Sequence, residues 1–115
     1  MKAKLPKGIG GGPQNMNAMI RQAQKLQEDM AALEEELKER EYDVSAGGGA
    51  VKLKIKGDLQ VLGIEIAPEI VDPDDIETLT DLITAAVNEG IGKVTKTNDE
   101  EKEKLSSQLN IPGVF

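Results

Sequence analysis

Hydrophobic residues recur along the first third of the chain at alternating intervals of three and four positions. They begin at Met16 and end at Leu37, within a polar background. This is the a/d spacing of a heptad, which predicts one long helix over residues 15–40. Because so narrow a stripe suits another helix better than a broad core, we expect a dimer seam. Apart from Ala23, which also fits the spacing, the candidate seam residues are Met16, Met19, Leu26, Met30, Leu33 and Leu37.

Three short strands are predicted after this helix, over residues 42–46, 50–56 and 59–66. A run of three glycines separates the first two, and glycine accepts the positive φ angles that tight turns need. Gly57-Asp58 predicts a two-residue hairpin turn between the second and third. The three strands therefore form an antiparallel meander.

Side chains alternate along the second and third strands, which predicts a sheet with one buried face. In the second strand the apolar residues are Val51, Leu53 and Ile55, and the residues between and after them are Lys52, Lys54 and Lys56. In the third strand the expected apolar face consists of Leu62, Ile64 and Ile66.

A second helix is predicted to begin at Asp72-Pro73, because Asp is a good N-cap and Pro fits the first helical position. Beyond residue 94 its sequence is polar all round, so we expect the rest to be solvated and to fray. Gly90 and Gly92 are expected to weaken its middle. Its apolar stripe consists of Ile76, Leu79, Ile83, Ala86, Val87, Ile91 and Val94.

The predicted order is α-β-β-β-α, an α+β fold with a small antiparallel sheet and two long helices. At 115 residues the chain is one domain. Residues 1–14 are expected to be a flexible basic arm, residues 15–108 the domain and residues 109–115 a tail. A small sheet has edges that need cover, and together with the heptad seam this predicts a homodimer.

Composition argues against several kinds of chemistry. The chain has no Cys and no His, so thiolate chemistry and the commonest general base are missing. Neighbouring carboxylates occur, but helix capping and solvated helix faces explain them, so we expect no catalytic residues, metal site, cofactor or small-molecule substrate. No apolar run is long enough to span a membrane, and the N-terminus lacks a signal peptide's apolar core, so the expected compartment is the cytoplasm.

Charge is strongly segregated along the chain, whose net charge is −7. Residues 1–27 carry five basic residues and no acid, whereas residues 28–41 have a net charge of −5 and residues 71–92 one of −6. Such a protein can touch a polyanion with its basic ends while its body stays acidic. The contacts would be to phosphates, and their strength would depend on salt. The alternative is that Arg21 and Lys25 are ordinary surface charges.

Three segments together resemble the YbaB/EbfC family of nucleoid-associated proteins. They are "RQAQKLQ" in the first helix, the glycine turn into "VKLKIKG", and an Ile66-Ala67-Pro68 step leading to "DPDDIETLTDLITAAVNE"; the ending "IPG" is also similar. The resemblance covers nearly all of residues 15–109. It implies a homodimer whose long helices project like tweezers, which binds and coats or bends double-stranded DNA in the nucleoid, without catalysis or a cofactor.

The resemblance maps DNA contacts onto four basic residues of the two helices, Arg21, Lys25, Lys93 and Lys96. We expect Arg21 and Lys25 to contribute first, the arm lysines Lys2, Lys4 and Lys7 next, and Lys93 and Lys96 after them. The lysine stripe of the second strand is a rival DNA face, although a solvated outer sheet face is the preferred interpretation. Any sequence preference should come from DNA deformability, because no classical base-reading motif is present.

A second hypothesis belongs to another functional class. The chain would be an acidic scaffold that binds protein partners through the heptad seam. It would then form hetero-oligomers and be indifferent to DNA.

Overall fold

The computed structural model describes the backbone of residues 12–109 and the side chains of residues 15–107. The predicted α+β class and the α-β-β-β-α order are confirmed. The helix predicted from residue 15 already begins at Gly12, and the rest of the predicted arm and tail, residues 1–11 and 110–115, lies outside the described residues. The elements are α1 (Gly12–Glu39), β1 (Glu41–Ala46), β2 (Val51–Lys56), β3 (Val61–Ile66) and α2 (Ile76–Leu109).

The three strands form one antiparallel sheet in the order β1-β2-β3. Val44 of β1 and Ile64 of β3 both lie opposite Leu53 of β2, so the apolar positions share one face. Helix α2 packs across that face on β1 and β2. The core that results consists of Tyr42, Val44, Val51, Leu53, Ile55, Ala86 and Val94.

Gly90 allows α2 to lie close to the sheet. A Cβ atom at this position would come within 3.0 Å of Leu53 Cδ2 and 3.3 Å of Ile55 Cγ2. At Gly92, by contrast, an added Cβ would meet no atom within 4 Å. The helix runs unbroken through both glycines. Gly90 therefore has a packing role, and its low helix propensity is offset by burial of the sheet.

Asp75, rather than the predicted Asp72, caps α2. The Asp75 carboxylate accepts a hydrogen bond from the Thr78 N–H at 3.3 Å, and α2 begins at Ile76. Asp72 instead stabilises the turn before it, where its side chain accepts a bond from the Asp74 N–H at 2.9 Å. The prediction was wrong because both residues are good caps. A turn hydrogen bond from the Asp75 N–H to the Asp72 carbonyl, 2.9 Å long, comes first, so the helix begins only at Ile76.

Beyond the sheet, α2 turns out to pack against α1. Asn98 donates a hydrogen bond to the Gly57 carbonyl at 3.3 Å, and Arg40 lies 3.7 Å from Glu101. One residue further along, Lys102 lies 3.5 Å from Glu34, so the helices run antiparallel. The expectation of a fully solvated second half of this helix is therefore wrong. Its polar residues form ion pairs with α1, which hydrophobic periodicity does not detect.

The hairpin between β2 and β3 is longer than the predicted two-residue turn. The Leu59 N–H donates to the Lys56 carbonyl at 2.8 Å, and the Lys56 N–H donates to Gln60 at 2.9 Å. Leu59 closes the turn with a φ of 70°, in the left-handed region. Gly57 faces α1, where a Cβ atom would overlap the Leu37 carbonyl. As a result, β3 begins at Val61 rather than at the predicted residue 59.

A β-bulge in β3 changes the predicted apolar face. Ile55 lies opposite Val61 while Lys54 lies opposite Gly63, so Leu62 is the extra residue. The register therefore aligns Val61, rather than the predicted Leu62, with the apolar positions of β2. Burial also differs from the prediction, because every residue of β3 is exposed.

Candidate nucleic-acid interface

The N-terminal half of α1 projects beyond the rest of the described chain. Every side chain from residue 15 to residue 25 is exposed, whereas Asp29 and Leu33 line a groove that α1 forms with α2. We call residues 15–27 the projecting segment; at about 1.5 Å per residue it is about 20 Å long. It contains Arg21 and Lys25 and no acidic residue. The projecting segment is therefore a basic element attached to an acidic body.

Arg21 and Lys25 lie on one surface of the projecting segment. With Asn15, Ala18, Met19 and Gln22 they line a shallow, open depression. The spacing explains this, because residues three or four apart are neighbours on a helix. The surface thus combines two cations, two amides and two apolar side chains.

The two cations differ in their surroundings. Lys25 Nζ lies 3.3 Å from the Asp29 carboxylate, and both side chains are accessible to water, 67 % and 35 %. A surface pair of this kind contributes only about 0–1 kcal/mol, so Lys25 is readily released. Arg21 has no acidic residue within a helical turn on either side. Arg21 is therefore the less encumbered of the two.

The structure does not bring Lys93 and Lys96 to this surface. Both are exposed residues of α2 in the part that crosses the sheet, and Lys93 Nζ donates a hydrogen bond to the Asp43 carbonyl of β1 at 3.4 Å. Arg40 and Glu101 provide a common reference point for the two antiparallel helices. Counting from that point places Lys93 about 40 Å from the level of Arg21. The predicted residues Lys2, Lys4 and Lys7 lie outside the described residues.

The lysine stripe of β2 is interspersed with acid. Lys54 Nζ lies 3.6 Å from Glu41 and 3.5 Å from Asp43. Lys56 Nζ lies 3.4 Å from Glu39 of α1, and Lys52 is opposite Glu65 in the sheet register. A phosphate approaching this face would meet carboxylates beside the ammonium groups. The geometry therefore favours a solvated outer face over a second basic surface.

The heptad positions of α1 divide into two parts. Leu37 is only 2 % exposed, because its own chain covers it, and Leu33 lies in the groove with Leu105 of α2. Leu26, Met30 and Leu33 are half-buried. Met16 and Met19 remain 62 % and 65 % exposed. The C-terminal part of the seam thus serves the monomer, and a dimer seam stays a prediction for the N-terminal part.

The apolar face of the third strand was predicted to be buried, but the structure leaves it open. Val61, Leu62, Ile64 and Ile66 are between 37 % and 43 % exposed, and β3 is an edge strand of the sheet. Alternation in the sequence shows that a strand has an apolar face, but it does not show which element covers that face. In the structure α2 packs on β1 and β2, and β3 stays exposed. Contiguous exposed apolar side chains of this kind mark an interaction surface.

The described residues include a guanidinium with a shifted pKa, but no cluster of metal ligands and no membrane-spanning helix. The Glu36 carboxylate, which accepts a hydrogen bond from Arg40 Nη2 at 3.1 Å, raises the pKa of that guanidinium, so Arg40 stays charged where α1 ends. Within residues 15–107, no group of three or more His, Cys, Asp and Glu side chains is placed to hold a metal ion. None of the helices in the described part is both long and apolar enough to cross a membrane.

An acidic α+β body with one basic, projecting helix is the arrangement expected of a protein that contacts a polyanion through a limited surface. Sequence comparison identifies the family. The chain belongs to the YbaB/EbfC DNA-binding family, whose model matches residues 11–109. The resemblance inferred from the sequence is thus confirmed. The family is a DNA-binding family rather than a family of enzymes.

Close relatives cover nearly the whole chain. A nucleoid-associated protein of Caldicellulosiruptor bescii is 52 % identical over 114 residues, 99 % of this chain and 98 % of that protein. A nucleoid-associated protein of Alkaliphilus metalliredigens is 48 % identical over 108 residues, 94 % of each chain. The crystal structure of the uncharacterized protein HP0035 from Helicobacter pylori shares the fold, with a TM-score of 0.62 at 19 % identity over 72 % of this chain and 87 % of that one.

Proposed function

We propose that this chain binds double-stranded DNA as a homodimer, mainly through phosphate contacts, and alters DNA conformation within the nucleoid. Membership of a DNA-binding family supports DNA as the ligand, and the names of the relatives support a place in the nucleoid. An effect on gene expression would follow from the altered DNA.

The observation that carries this proposal is the segregation of charge in space. The basic residues Arg21 and Lys25 lie on a helix segment that stands clear of the body, whereas residues 28–41, with net charge −5, lie where α1 joins the sheet. A DNA duplex can therefore meet the projecting segment while the acidic body stays at a distance. In this proposal Arg21 and Lys25 make the principal contacts. Secondary contacts come from Lys2, Lys4 and Lys7, whereas Lys93 and Lys96, which lie on the body, would contact a different stretch of DNA.

The homodimer is argued from β3. Its apolar side chains are about two fifths exposed, and its outer edge has no strand beside it in the described chain. An exposed, apolar edge strand invites pairing or cover by another chain. A second copy supplies an identical surface, so one interface covers both. It would also give the assembly two projecting segments, which doubles the number of phosphate contacts.

The test is the binding of a fluorescent DNA duplex by anisotropy across a salt series. We expect affinity to fall as salt rises, because each phosphate neutralised contributes about 0.9 to the slope of log K against log salt. The double variant Arg21→Ala/Lys25→Ala should bind more weakly and lower the slope by about 2 for each altered copy. A matched control is Lys38→Ala/Lys102→Ala, which removes the same charge from residues paired with Glu35 and Glu34.

The outcomes separate the hypotheses. A larger loss of DNA affinity in the Arg21/Lys25 variant than in the Lys38/Lys102 control supports contact through the projecting segment. Equal losses would mean that total charge, not position, governs affinity. If the wild-type chain does not bind DNA even at low salt, the proposal fails, and the acidic scaffold, which recognises proteins through the exposed heptad positions, becomes the better hypothesis.

A further inference from the structure

The surface that presents Arg21 and Lys25 also presents groups that phosphates do not require. Asn15 and Gln22 place two exposed amides on it, and Ala18 and Met19 place two apolar side chains between them. A cation alone is enough for a nonspecific phosphate contact. The chemistry of the other four side chains is that of base-edge recognition.

Each of these side chains has a partner in the major groove. An Asn or Gln amide forms two hydrogen bonds with adenine N6 and N7, and apolar side chains contact the thymine methyl group. A helix about 10–12 Å wide fits a groove about 12 Å wide. From Asn15 to Gln22 the helix rises about 10 Å, the length of about three base pairs.

Amides occur on other faces of the projecting segment too, at Asn17 and Gln24, and what distinguishes this face is that Arg21 and Lys25 lie on it. The remainder of α1 differs in charge, since residues 28–39 carry six acids and one base. The projecting segment has no acid at all, so nothing on it repels phosphates. The stripe formed by Asn15, Ala18, Met19 and Gln22 shares only Met19 with the heptad positions. Asn15, Ala18 and Gln22 therefore remain open even if the heptad positions meet a second copy.

We propose that this stripe enters the major groove and reads A·T base pairs directly. Gln22 and Asn15 bond to adenine, Ala18 and Met19 contact thymine methyl groups, and Arg21 and Lys25 hold the flanking phosphates. The inference rests on the proposed binding of double-stranded DNA and goes beyond it. The sequence alone favours DNA deformability as the source of any preference for particular DNA sequences. In this inference the preference comes from contacts with the bases instead.

The first experiment selects duplexes from a random pool with the full wild-type chain at about 0.15 M salt, and then compares a selected duplex with its scrambled version by anisotropy. We expect enrichment of A·T base pairs and discrimination of about tenfold or more, since one bidentate amide contact corresponds to about fivefold or greater discrimination. Gln22→Ala should lose at least about fivefold of this discrimination while the salt slope stays unchanged. Gln24→Ala is the matched control, because Gln24 is exposed about 200° around the same helix.

Modified duplexes test the groove and the atoms. Replacing adenine by 7-deazaadenine removes the N7 acceptor, which only the major groove exposes, and replacing thymine by uracil removes the methyl group. Both should weaken wild-type binding several-fold. The 7-deazaadenine duplex should cost Gln22→Ala less affinity than it costs the wild type, because only Asn15 still bonds to adenine N7 in that variant.

Three results would overturn the inference: binding without discrimination, equal discrimination by Gln22→Ala and the wild type, or indifference to both modified bases. In each of these cases DNA binding itself would stand. Failure of the wild type to bind any duplex would instead refute the proposed function.

Discussion

The open face of β3 makes the proposed homodimer testable by one substitution, Ile64→Asp. Ile64 lies opposite the core residue Leu53 in the sheet and is 43 % exposed in the single chain. In a dimer that covers β3, the change places a carboxylate from each copy in an apolar contact. In a monomer, the new side chain stays at a solvated sheet edge, and the chain still folds.

The exposed fractions give the size of the effect. Fully burying an aliphatic side chain contributes about 1.5–3 kcal/mol, so covering the remaining two fifths contributes roughly 0.6–1.2 kcal/mol. Four such side chains, Val61, Leu62, Ile64 and Ile66, on each of two copies therefore contribute roughly 5–10 kcal/mol. This is comparable with the cost of association, about 4–15 kcal/mol, so the dimer has little stability in excess. Losing Ile64 from both copies and burying two like charges costs several kcal/mol more.

We therefore expect Ile64→Asp to raise the dimer dissociation constant by more than about a thousandfold. Because the dimer has little stability in excess, light scattering is measured on concentrated samples, where the wild type should approach twice the chain mass of 12.4 kDa and the variant should keep the single mass. Circular dichroism should show that the variant keeps its helices. Ile76→Asp, at a residue that is 55 % exposed at the start of α2, should remain dimeric. A folded Ile64→Asp variant that keeps the double mass would refute the assignment of β3 as the interface.

Three further predictions concern packing and charge. Gly92→Ala should stabilise the chain by about 1 kcal/mol in urea unfolding, because the new methyl group meets nothing, whereas Gly90→Ala should be less stable than Gly92→Ala; equal stability would refute the close approach at Gly90. Asp29→Asn should free Lys25 and strengthen DNA binding by up to about fivefold at low salt, and unchanged anisotropy would mean that the ion pair does not compete with phosphate. Lys54→Ala should change DNA affinity less than twofold, since two carboxylates already surround its ammonium group; a loss as large as that of the double variant Arg21→Ala/Lys25→Ala would relocate the site to the sheet.

The elements that follow a single periodicity were predictable from the sequence. The heptad of α1 and the strict alternation of β2 each mark one apolar side of the element. The observed bounds of both elements differ from the predicted ones by a few residues. The identity of the family was also recognisable, because it depends on the order of several short motifs. The absence of acid from residues 1–27, which hold Arg21 and Lys25, was also visible in the sequence.

Features that depend on a second element were not predictable in the same way. The bulge at Leu62 arises from pairing between β2 and β3, and alternation within one strand cannot show it. The second half of α2 looked solvated because it contacts α1 through ion pairs and through Asn98 rather than through an apolar stripe. Gly90 looked like a weak point, although its role is set by the sheet residues beneath it.

The length of the projecting segment resolves the apparent conflict between a net charge of −7 and a polyanionic ligand. Arg21 precedes the first acidic residue of α1, Glu28, by seven positions, which is about 10 Å along the helix. The screening length is about 8 Å at 0.15 M salt, so the acidic body weakly affects Arg21 there, whereas Lys25 is one turn from Asp29. At 0.01 M salt the screening length grows to about 30 Å, and the repulsion from the body reaches the whole segment. As salt is lowered towards about 0.01 M, the DNA affinity should therefore rise less steeply than the slope calculated from the number of phosphate contacts alone.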